Sequence, residues 1–313
     1  MSPDLAARIT LEEGAPLLQA VVHHEAEANQ LRVLAIKGPS LAVLGLRDPR
    51  PHADIDVLAA PSDLDAVVAM MEEIGWRRAL ESTAPTLLPA HSVNLLNDWW
   101  PLSIDAHHYF PGFLAPPDAV FEALWCRRTT VELAGAPVLT PDRVAHAAIA
   151  ALHLLREKRP ETDDLELELL VQRAARTLSV HDLDELVDFA EVTGAAVTLG
   201  PFLEALGRPS GTVTGPGHHA QLASWNKRVS SPRSSTWIYQ LGSSPLRRWP
   251  QLIWRAVLLS DDEIRTFHGG DGESLLRARV RRLRRGFRSV PRAAFDLWRQ
   301  KAREWVLRVW RPT

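Results

Sequence analysis

Strand and helix signals alternate over roughly the first 140 residues, whereas residues 141 to about 207 predict helices with no convincing strand. Short apolar runs that are typical of buried strands occupy residues 31–36, 53–58, 92–96 and 102–107. A hairpin is predicted where two further strand-like runs flank Ala134-Gly135. The first part of the chain is therefore expected to form an α/β (α+β) domain, and the part after it a helical domain.

Local signals divide the rest of the chain. Thr140-Pro141-Asp142 is a strong helix start, and loops rich in Gly, Pro and Ser are predicted over 208–217 and 230–235. Beyond residue 270 the sequence predicts two basic helices. We therefore predict three parts: an α/β domain over residues 1–140, a helical domain over 141–270 and a basic, tryptophan-containing helical tail over 271–313.

The charge of the chain is unevenly distributed. The 36 lysines and arginines nearly balance the 38 acids over the whole sequence, yet residues 277–313 carry 13 of the basic residues and only two acids. A basic segment of this kind can contact a polyanion such as RNA or an anionic membrane surface, or it can neutralise the acidic remainder of the protein. The sequence leaves these three roles open.

Cysteine content and apolar segments bear on location. One cysteine, Cys126, excludes a disulfide framework within the chain and is typical of a reducing compartment. No basic region followed by an apolar core stands near the start. The most apolar segment, Val144 to Leu155, is too short to span a bilayer. We expect a soluble cytoplasmic protein with no transmembrane segment.

The pattern of two aspartates around one apolar residue occurs three times, and local structure separates the three cases. Asp63-Leu64-Asp65 and Asp182-Leu183-Asp184 fall in the first turns of predicted helices, where acids favour the helix dipole. Residues two apart on a helix point about 200° from each other, so these pairs cannot share a metal ion. We also expect Ser62 to cap the first of these helices, with Asp65 as its capping-box acid.

Asp54-Ile55-Asp56 lies instead on a predicted strand. On a strand the two carboxylates project from one face, about 6.5–7 Å apart at Cα, so they can jointly hold a hard cation such as Mg²⁺. The alternative is that both acids lie on the solvent face of an edge strand. The spacing by itself favours neither interpretation.

Two neighbouring features favour the cation site. Upstream, a strand runs into Gly38-Pro39-Ser40 and a helix start, which offers backbone N–H groups and a hydroxyl to a phosphate. Downstream, Asp105 supplies a third acid on a predicted strand, sharing one strand face with His107 while Ile104 and Ala106 take the other. Three acids beside an anion-binding turn predict a phosphoryl-transfer site.

These residues resemble a known family. The runs LAIKGPS at 34–40 and RPHADIDVL at 50–58, followed by Ile74-Gly75-Trp76 and Asp105-Ala106-His107, are similar to the motifs of the uncharacterised nucleotidyltransferase family of the polymerase-β-like nucleotidyltransferase superfamily. Members of that family carry a Lys-Gly turn, an arginine four residues before an Asp-Ile-Asp strand, and a later acid-x-His strand. The resemblance covers about residues 30 to 160 and continues faintly to about residue 270.

The resemblance implies a nucleotidyltransferase fold with a small mixed sheet. It implies an enzyme that transfers a nucleoside monophosphate from an NTP to an acceptor hydroxyl and releases pyrophosphate. Its two Mg²⁺ ions would be held by Asp54, Asp56 and Asp105, and Asp105 would also receive the acceptor's proton. The residues implied to bind the nucleotide are Lys37, Gly38, Ser40 and Arg50.

The sequence indicates the type of reaction more specifically than it indicates the acceptor. A small molecule or biosynthetic intermediate is the leading hypothesis. The alternatives are an RNA end, as in a toxin-like nucleotidyltransferase, and a catalytically silent binding module of the same fold. The sequence lacks a Gly-x-Ser-x-Gly elbow, a Walker A loop and a dinucleotide fingerprint, which excludes hydrolase, P-loop kinase and Rossmann functions. His146 and His153, seven residues apart on one helix face, are either partly buried helix residues or functional groups.

Overall fold

The computed structural model describes residues 9–79, 91–156, 163–212, 218–230 and 246–250, with single residues at 274, 276, 277, 280 and 284. Nearly all of the predicted basic tail therefore lies outside the described residues. Contacts define two compact units, one formed by residues 1–79 with 90–229 and the other by 80–89 with 230–313. The strands and helices described below belong, up to residue 229, to the first unit.

A five-stranded mixed sheet underlies the candidate site. Its spatial order is β1-β2-β5-β4-β3, and the strands are β1 (Val33–Ile36), β2 (Asp54–Ala59), β3 (Arg77–Arg78), β4 (Ser92–Leu96) and β5 (Ser103–His107). β2 and β5 are parallel, and the other neighbouring pairs are antiparallel. The small mixed sheet expected from the sequence is confirmed, and its parallel pair carries the candidate aspartates.

A hairpin forms a separate two-stranded sheet from β6 (Arg128–Leu133) and β7 (Ala136–Pro141). The residues between them, Ala134 and Gly135, have φ values of 52° and 76°, and a type I′ turn requires positive φ at both central positions. The predicted hairpin is therefore confirmed. β7 ends at Pro141, and the next helix begins two residues later, at Arg143.

Helices surround these strands. Within the described residues they are α1 (Leu11–Ala28), α2 (Gly38–Val43), α3 (Leu64–Glu73), α4 (Pro117–Cys126), α5 (Arg143–Arg156), α6 (Asp163–Thr177), α7 (Val180–Val192), α8 (Gly200–Ala205) and α9 (His218–Ser230). A 3₁₀ turn follows at Leu246–Arg248. The elements α5 to α8 occupy the stretch for which the sequence predicts helices without strands.

Helix starts show where local sequence is sufficient and where it is not. α7 begins with a capping box in which Asp182 accepts the N–H of Ser179 at 2.8 Å and Ser179 accepts the N–H of Asp182 at 3.1 Å. The predicted cap at Ser62 is wrong, because α3 is preceded by Asp63 and that side chain makes no cap bond. Asp63 Oδ2 instead accepts the N–H of Arg32 at 3.0 Å, which ties the helix start to the segment before β1.

Alternate residues of β2 and β5 face two separate hydrophobic clusters. The cluster covered by α1 and α3 contains Ile55, Val57, Ile104 and Ala106. The cluster on the opposite face contains Leu58 and is built largely from α5, of which ten of 14 residues are buried. Since side chains alternate along a strand, the α5 face is the one that carries Asp54, Asp56, Asp105 and His107. The predicted division of β5 into a polar and an apolar face is thus confirmed.

Within the described residues, no helix is both long enough and apolar enough to cross a membrane. The boundaries between the two units fall at 79–90 and 229–230, whereas the sequence suggests boundaries at 140 and 270. The three-part division remains a prediction about which parts fold independently, and the cytoplasmic location remains a prediction as well.

Candidate active site

Two aspartates lie side by side on the parallel strand pair. The register of β2 and β5 pairs Asp56 with Asp105. His107 bridges them, because its Nε2 lies 2.9 Å from Asp56 Oδ1 and 3.3 Å from Asp105 Oδ2. The ammonium of Lys37 lies 2.5 Å from the same Asp56 oxygen. Four ionisable groups therefore meet at one point on the α5 face of the sheet.

Opposite charges dominate the ionisation of this cluster. Burial alone would raise the pKa of Asp56, but the ammonium of Lys37 and the hydrogen bond from His107 hold it well below its usual range. Burial also acts to raise the pKa of Asp105, and the bond to His107 lowers it instead. Burial would lower the pKa of His107, and its hydrogen bonds to Asp105 and Asp56 raise it. Both carboxyls are therefore ionised and the imidazole is stabilised as a cation.

The cluster has the composition of a cation site. One ligand atom each from Asp56, Asp105 and His107 can be chosen so that all three lie within 4.8 Å of one another. Carboxylate oxygens suit hard cations such as Mg²⁺, and an imidazole widens the choice to Mn²⁺ or Zn²⁺. The Lys37 ammonium lies against Asp56 and neutralises the carboxylate that a bound cation would also neutralise. The residues present therefore fit a divalent cation. His107, which the sequence predicts on this strand face, is a further ligand candidate once its imidazole has given up the proton.

Asp54 lies at the start of β2, on the same face as Asp56 but outside the three-residue group. Burial and then the charge of Asp56 raise its pKa above the ordinary value. The two acids of the Asp-Ile-Asp motif thus differ: Lys37 and His107 neutralise Asp56, whereas Asp54 is exposed at the start of the strand.

The turn between β1 and α2 has an unusual backbone. Lys37 has φ 58° and ψ −152°, and Gly38 follows with φ 55°. The conformation of Lys37 lies near a region that glycine alone adopts freely, and a non-glycine residue there costs about 1–3 kcal/mol. A Cβ added at Gly38 would lie 3.3 Å from Gln19 Nε2. The Lys-Gly pair is therefore required for different reasons, the lysine for its ammonium and the glycine for its conformation and lack of a side chain.

Ser40 is enclosed beneath this turn. It is fully buried, and its hydroxyl donates to Gln19 Oε1 at 3.2 Å. Gln19 is itself 1% exposed, and its Nε2 has no hydrogen-bond partner within the described part of the chain. The Ser40 hydroxyl thus joins α2 to α1, and its expected contact with a phosphate remains a prediction.

Two arginines lie in the loop before β2. Arg50, the predicted phosphate ligand, is exposed and pairs with Glu166 at 3.2 Å. Arg47 is partly buried and was not among the predicted site residues. Its Nη2 lies 3.3 Å from the carbonyl oxygen of Gly38 and 3.2 Å from His52 Nε2. Burial, followed by repulsion from Arg50, lowers the pKa of Arg47 to about 10. Arg47 is therefore the arginine that contacts the Lys-Gly turn.

His146 anchors the turn from the opposite side. It is fully buried on α5, and its Nε2 accepts the backbone N–H of Lys37 at 2.8 Å. Its Nδ1 lies 3.2 Å from Thr140 Oγ1, whose own proton goes to the carbonyl of Ala35 at 2.7 Å. These partners require Nδ1 to carry the proton and Nε2 to carry the lone pair. His146 therefore has a positioning role, and its spacing in the sequence does not reveal it.

The interior around α5 keeps its histidines neutral. Burial, followed by repulsion from Arg47, lowers the pKa of His146 to about 3. Burial, followed by the charges of Lys37 and Arg156, lowers the pKa of His153 to about 2. His153 Nδ1 also lies 3.4 Å from a guanidinium nitrogen of Arg156.

The sequence matches one family across more than half of its length. The family described as "Uncharacterised nucleotidyltransferase" matches residues 19–197. This stretch includes the Lys-Gly turn, the Asp-Ile-Asp strand and the strand that carries Asp105. The chain belongs to this family, and the resemblance predicted from its motifs is confirmed. It is accordingly a nucleotidyltransferase enzyme. No curated protein matches the sequence.

Several solved structures resemble the fold at low identity. The solution structure of the antibiotic-resistance factor ANT(2'')-Ia is 17% identical, with a TM-score of 0.39, and the match covers 58% of this chain and 96% of that one. The lincosamide antibiotic adenylyltransferase LnuA is 16% identical, with a TM-score of 0.34 and coverages of 50% and 94%. An antigenic nucleotidyltransferase-like protein from Paracoccidioides brasiliensis is 12% identical, with a TM-score of 0.38 and coverages of 65% and 96%. Similarity at this level carries no conclusion about the acceptor of the present protein.

Proposed function

We propose that this nucleotidyltransferase transfers a nucleoside monophosphate from an NTP to a hydroxyl group of a small-molecule or biosynthetic acceptor, with Mg²⁺ and with release of pyrophosphate. The observation that carries the proposal is the pairing of Asp56 with Asp105 on parallel strands, with the Lys37 ammonium against Asp56. This arrangement supplies ionised oxygen ligands and a cation beside a glycine-containing turn, which are the parts that phosphoryl transfer needs.

The residues that would hold Mg²⁺ are Asp54, Asp56 and Asp105, with His107 as a further ligand candidate. When bound, Mg²⁺ stabilises the negative charge that develops on the phosphoryl oxygens. Asp56 binds in its ionised form, because its partners hold its pKa low. A cation that takes over the charge of the Asp56 carboxylate would release the Lys37 ammonium to bind a phosphate.

Asp105 is suited to the acceptor side of the reaction. Its side chain is 25% exposed, compared with 9% for Asp56, and it is ionised in the free protein. In the proposed step the acceptor oxygen forms a bond to the α-phosphorus while the bond to the bridging oxygen of the β-phosphate breaks. The bridging oxygen leaves with the electron pair as part of pyrophosphate, and the acceptor's proton goes to Asp105.

The carboxylates provide the direct test. Asp54→Asn and Asp56→Asn keep the shape of each side chain and remove its charge, so each is expected to abolish Mg²⁺-dependent NTP binding and pyrophosphate release. Calorimetric titration of each NTP with Mg²⁺ measures the binding, and a coupled pyrophosphate assay measures the turnover. Asp65→Asn is the matched control, because Asp65 belongs to a second Asp-apolar-Asp motif, on α3, and is exposed. Equal turnover in the wild type and in Asp54→Asn would refute the site.

An RNA acceptor is the second candidate, and the composition of residues 277–313 favours it. If that segment binds RNA through phosphate contacts, the affinity falls steeply with salt and is lost when 277–313 is deleted. Filter binding of a short RNA at several salt concentrations tests this in the full chain and in the deletion variant. RNA binding that is unchanged by the deletion removes the support for this candidate.

A further inference from the structure

The guanidinium of Arg47 is partly buried and forms no ion pair within the described residues. Neighbouring arginines have one: Arg50 pairs with Glu166, and Arg173 pairs with Asp48. Arg47 has no carboxylate partner within the described residues, and its Nε is buried without any hydrogen-bond partner there. A buried charge without a counter-charge is costly unless a ligand supplies one. A bound anion would supply this counter-charge.

The direction of the Arg47 side chain indicates where such an anion would bind. Arg47 follows α2 in the sequence, and its Nη2 donates to the carbonyl oxygen of Gly38, at the start of that helix, at 3.3 Å. Gly38 follows Lys37 in the turn, and Lys37 contacts Asp56. Arg47 is therefore placed at the Lys-Gly turn, next to the residue that contacts Asp56.

His52 fixes the orientation of this guanidinium. Its Nε2 lies 3.2 Å from Arg47 Nη2. An arginine nitrogen can only donate, so His52 Nε2 must accept this hydrogen bond. Both contacts are made by Nη2, so His52 and Gly38 hold one end of the guanidinium and its Nη1 is left for a ligand.

We propose that Arg47 binds the phosphate chain of the NTP and that His52 is the positioning residue that holds its guanidinium. This inference rests on the proposed function and assigns a phosphate contact to a residue other than Arg50. The planar guanidinium presents its N–H donors in a fixed direction, which an ammonium group does not. In the absence of nucleotide, the same geometry keeps Arg47 oriented at the turn.

Binding of inorganic tripolyphosphate tests the inference without requiring turnover. Calorimetry with the full chain and Mg²⁺ is expected to give a dissociation constant about 10–100-fold larger for Arg47→Ala than for the wild type, which is the effect of losing hydrogen bonds to a charged group. Arg47→Lys is expected to fall between them, because it keeps the charge and loses the fixed direction of the N–H donors. Arg77→Ala is the control for the loss of one positive charge, since Arg77 is exposed and pairs with Asp98.

Two His52 variants test the positioning role. The amide oxygen of His52→Gln can accept the Arg47 hydrogen bond, whereas His52→Leu cannot. His52→Gln is therefore expected to retain tripolyphosphate binding and His52→Leu to weaken it. Thermal melts of all variants identify any loss of fold, and Arg47→Lys provides a second, milder variant if Arg47→Ala does not fold.

The failures of the two proposals are distinguishable. Tripolyphosphate binding that is equally tight in Arg47→Ala, Arg47→Lys and the wild type, or absent from the wild type, overturns the role of Arg47. The proposed NMP transfer fails separately, if the wild-type protein binds tripolyphosphate but releases no pyrophosphate from any NTP with any acceptor in a broad screen. Equal weakening by His52→Gln and His52→Leu overturns the positioning role of His52 alone.

Discussion

The backbone N–H of Lys37 donates a 2.8 Å hydrogen bond to Nε2 of His146, a residue 109 positions further along the chain. This bond connects α5 to the turn that presents the lysine to Asp56. It also fixes the strained conformation of Lys37, because the N–H has a single, buried acceptor. The helix that follows the α/β part of the chain therefore contributes directly to the geometry of the site.

The histidine in this bond makes stability depend on acid. The pKa of His146 is lowered from 6.5 to about 3 in the folded protein, so the unfolded chain binds this proton first as pH falls. The contribution of the neutral His146 to the free energy of unfolding is fully present above pH 6.5. Below that pH it decreases by about 1.4 kcal/mol per pH unit. His146→Gln removes the titration, and its stability relative to the wild type is expected to improve by that slope between pH 6 and pH 4.

Urea unfolding at several pH values measures the difference. Other titrating groups, including His153, are common to both proteins and cancel to first order. His181→Gln is the control, because His181 is largely exposed on α7. A constant stability difference between the wild type and His146→Gln across this range contradicts the assignment of a neutral, buried His146.

The backbone at Lys37 leads to an unusual order of stability between two variants. Glycine adopts φ 58°, ψ −152° freely, whereas alanine keeps the strain of about 1–3 kcal/mol. Both variants lose the same ion pair with Asp56. Lys37→Gly is therefore expected to be more stable than Lys37→Ala by about 1 kcal/mol, after the greater entropy of glycine in the unfolded chain is subtracted. Chemical denaturation of both proteins measures this, and a more stable alanine variant shows that the turn is not strained.

The two acids of the Asp-Ile-Asp motif are expected to separate activity from stability. Asp56→Asn leaves Lys37 and His107 without their shared carboxylate, and breaking a buried ion pair costs about 3–5 kcal/mol. Asp54→Asn is expected not to lower stability, because Asp54 is exposed at the start of β2 and Asp56 beside it carries a like charge. Both variants are expected to be inactive. Parallel unfolding and pyrophosphate assays check the pair, and a loss of stability in Asp54→Asn contradicts this interpretation.

Two glycines with positive φ separate the effect of backbone strain from that of contact with Gln19. Gly38 and Gly135 have φ 55° and 76°, but a Cβ at Gly135 would meet no atom within 4 Å, whereas one at Gly38 would lie 3.3 Å from Gln19. Gly135→Ala is expected to cost about 1 kcal/mol with normal NTP binding. Gly38→Ala is expected to cost more and to weaken NTP binding, measured by calorimetry. Normal NTP affinity in Gly38→Ala removes the turn from the site.

Much of the site could be predicted because side-chain alternation along a strand is local. Asp105 and His107 share a face opposite Ile104 and Ala106 whatever the strand pairs with, and the Asp-Ile-Asp motif obeys the same rule. The hairpin at Ala134-Gly135 was also predictable, because the turn is set by the two residues that form it. The family motifs added the assignment of nucleotidyltransferase, which the match over residues 19–197 confirms.

Local rules do not reveal the distant partner of a side chain. The predicted capping box of Ser62 with Asp65 is wrong, because Asp63 is the residue before α3 and its side chain accepts the N–H of Arg32. Ser40 donates its hydroxyl to Gln19 on α1. Arg50 pairs with Glu166 and Arg47 contacts the turn, while the phosphate contact of Arg50 stays a prediction. Each partner lies outside the motif that contains the side chain, so no spacing within a motif reveals it.

Backbone periodicity and motif identity were enough to predict the strands other than β3, the face on which each acid lies and the family of the enzyme. They did not reveal that Asp56 stands opposite Asp105, that Lys37 and His107 share the Asp56 carboxylate, or that His146 supports the turn. These relationships depend on strand register and helix packing, which are set by the burial of apolar surface throughout the fold.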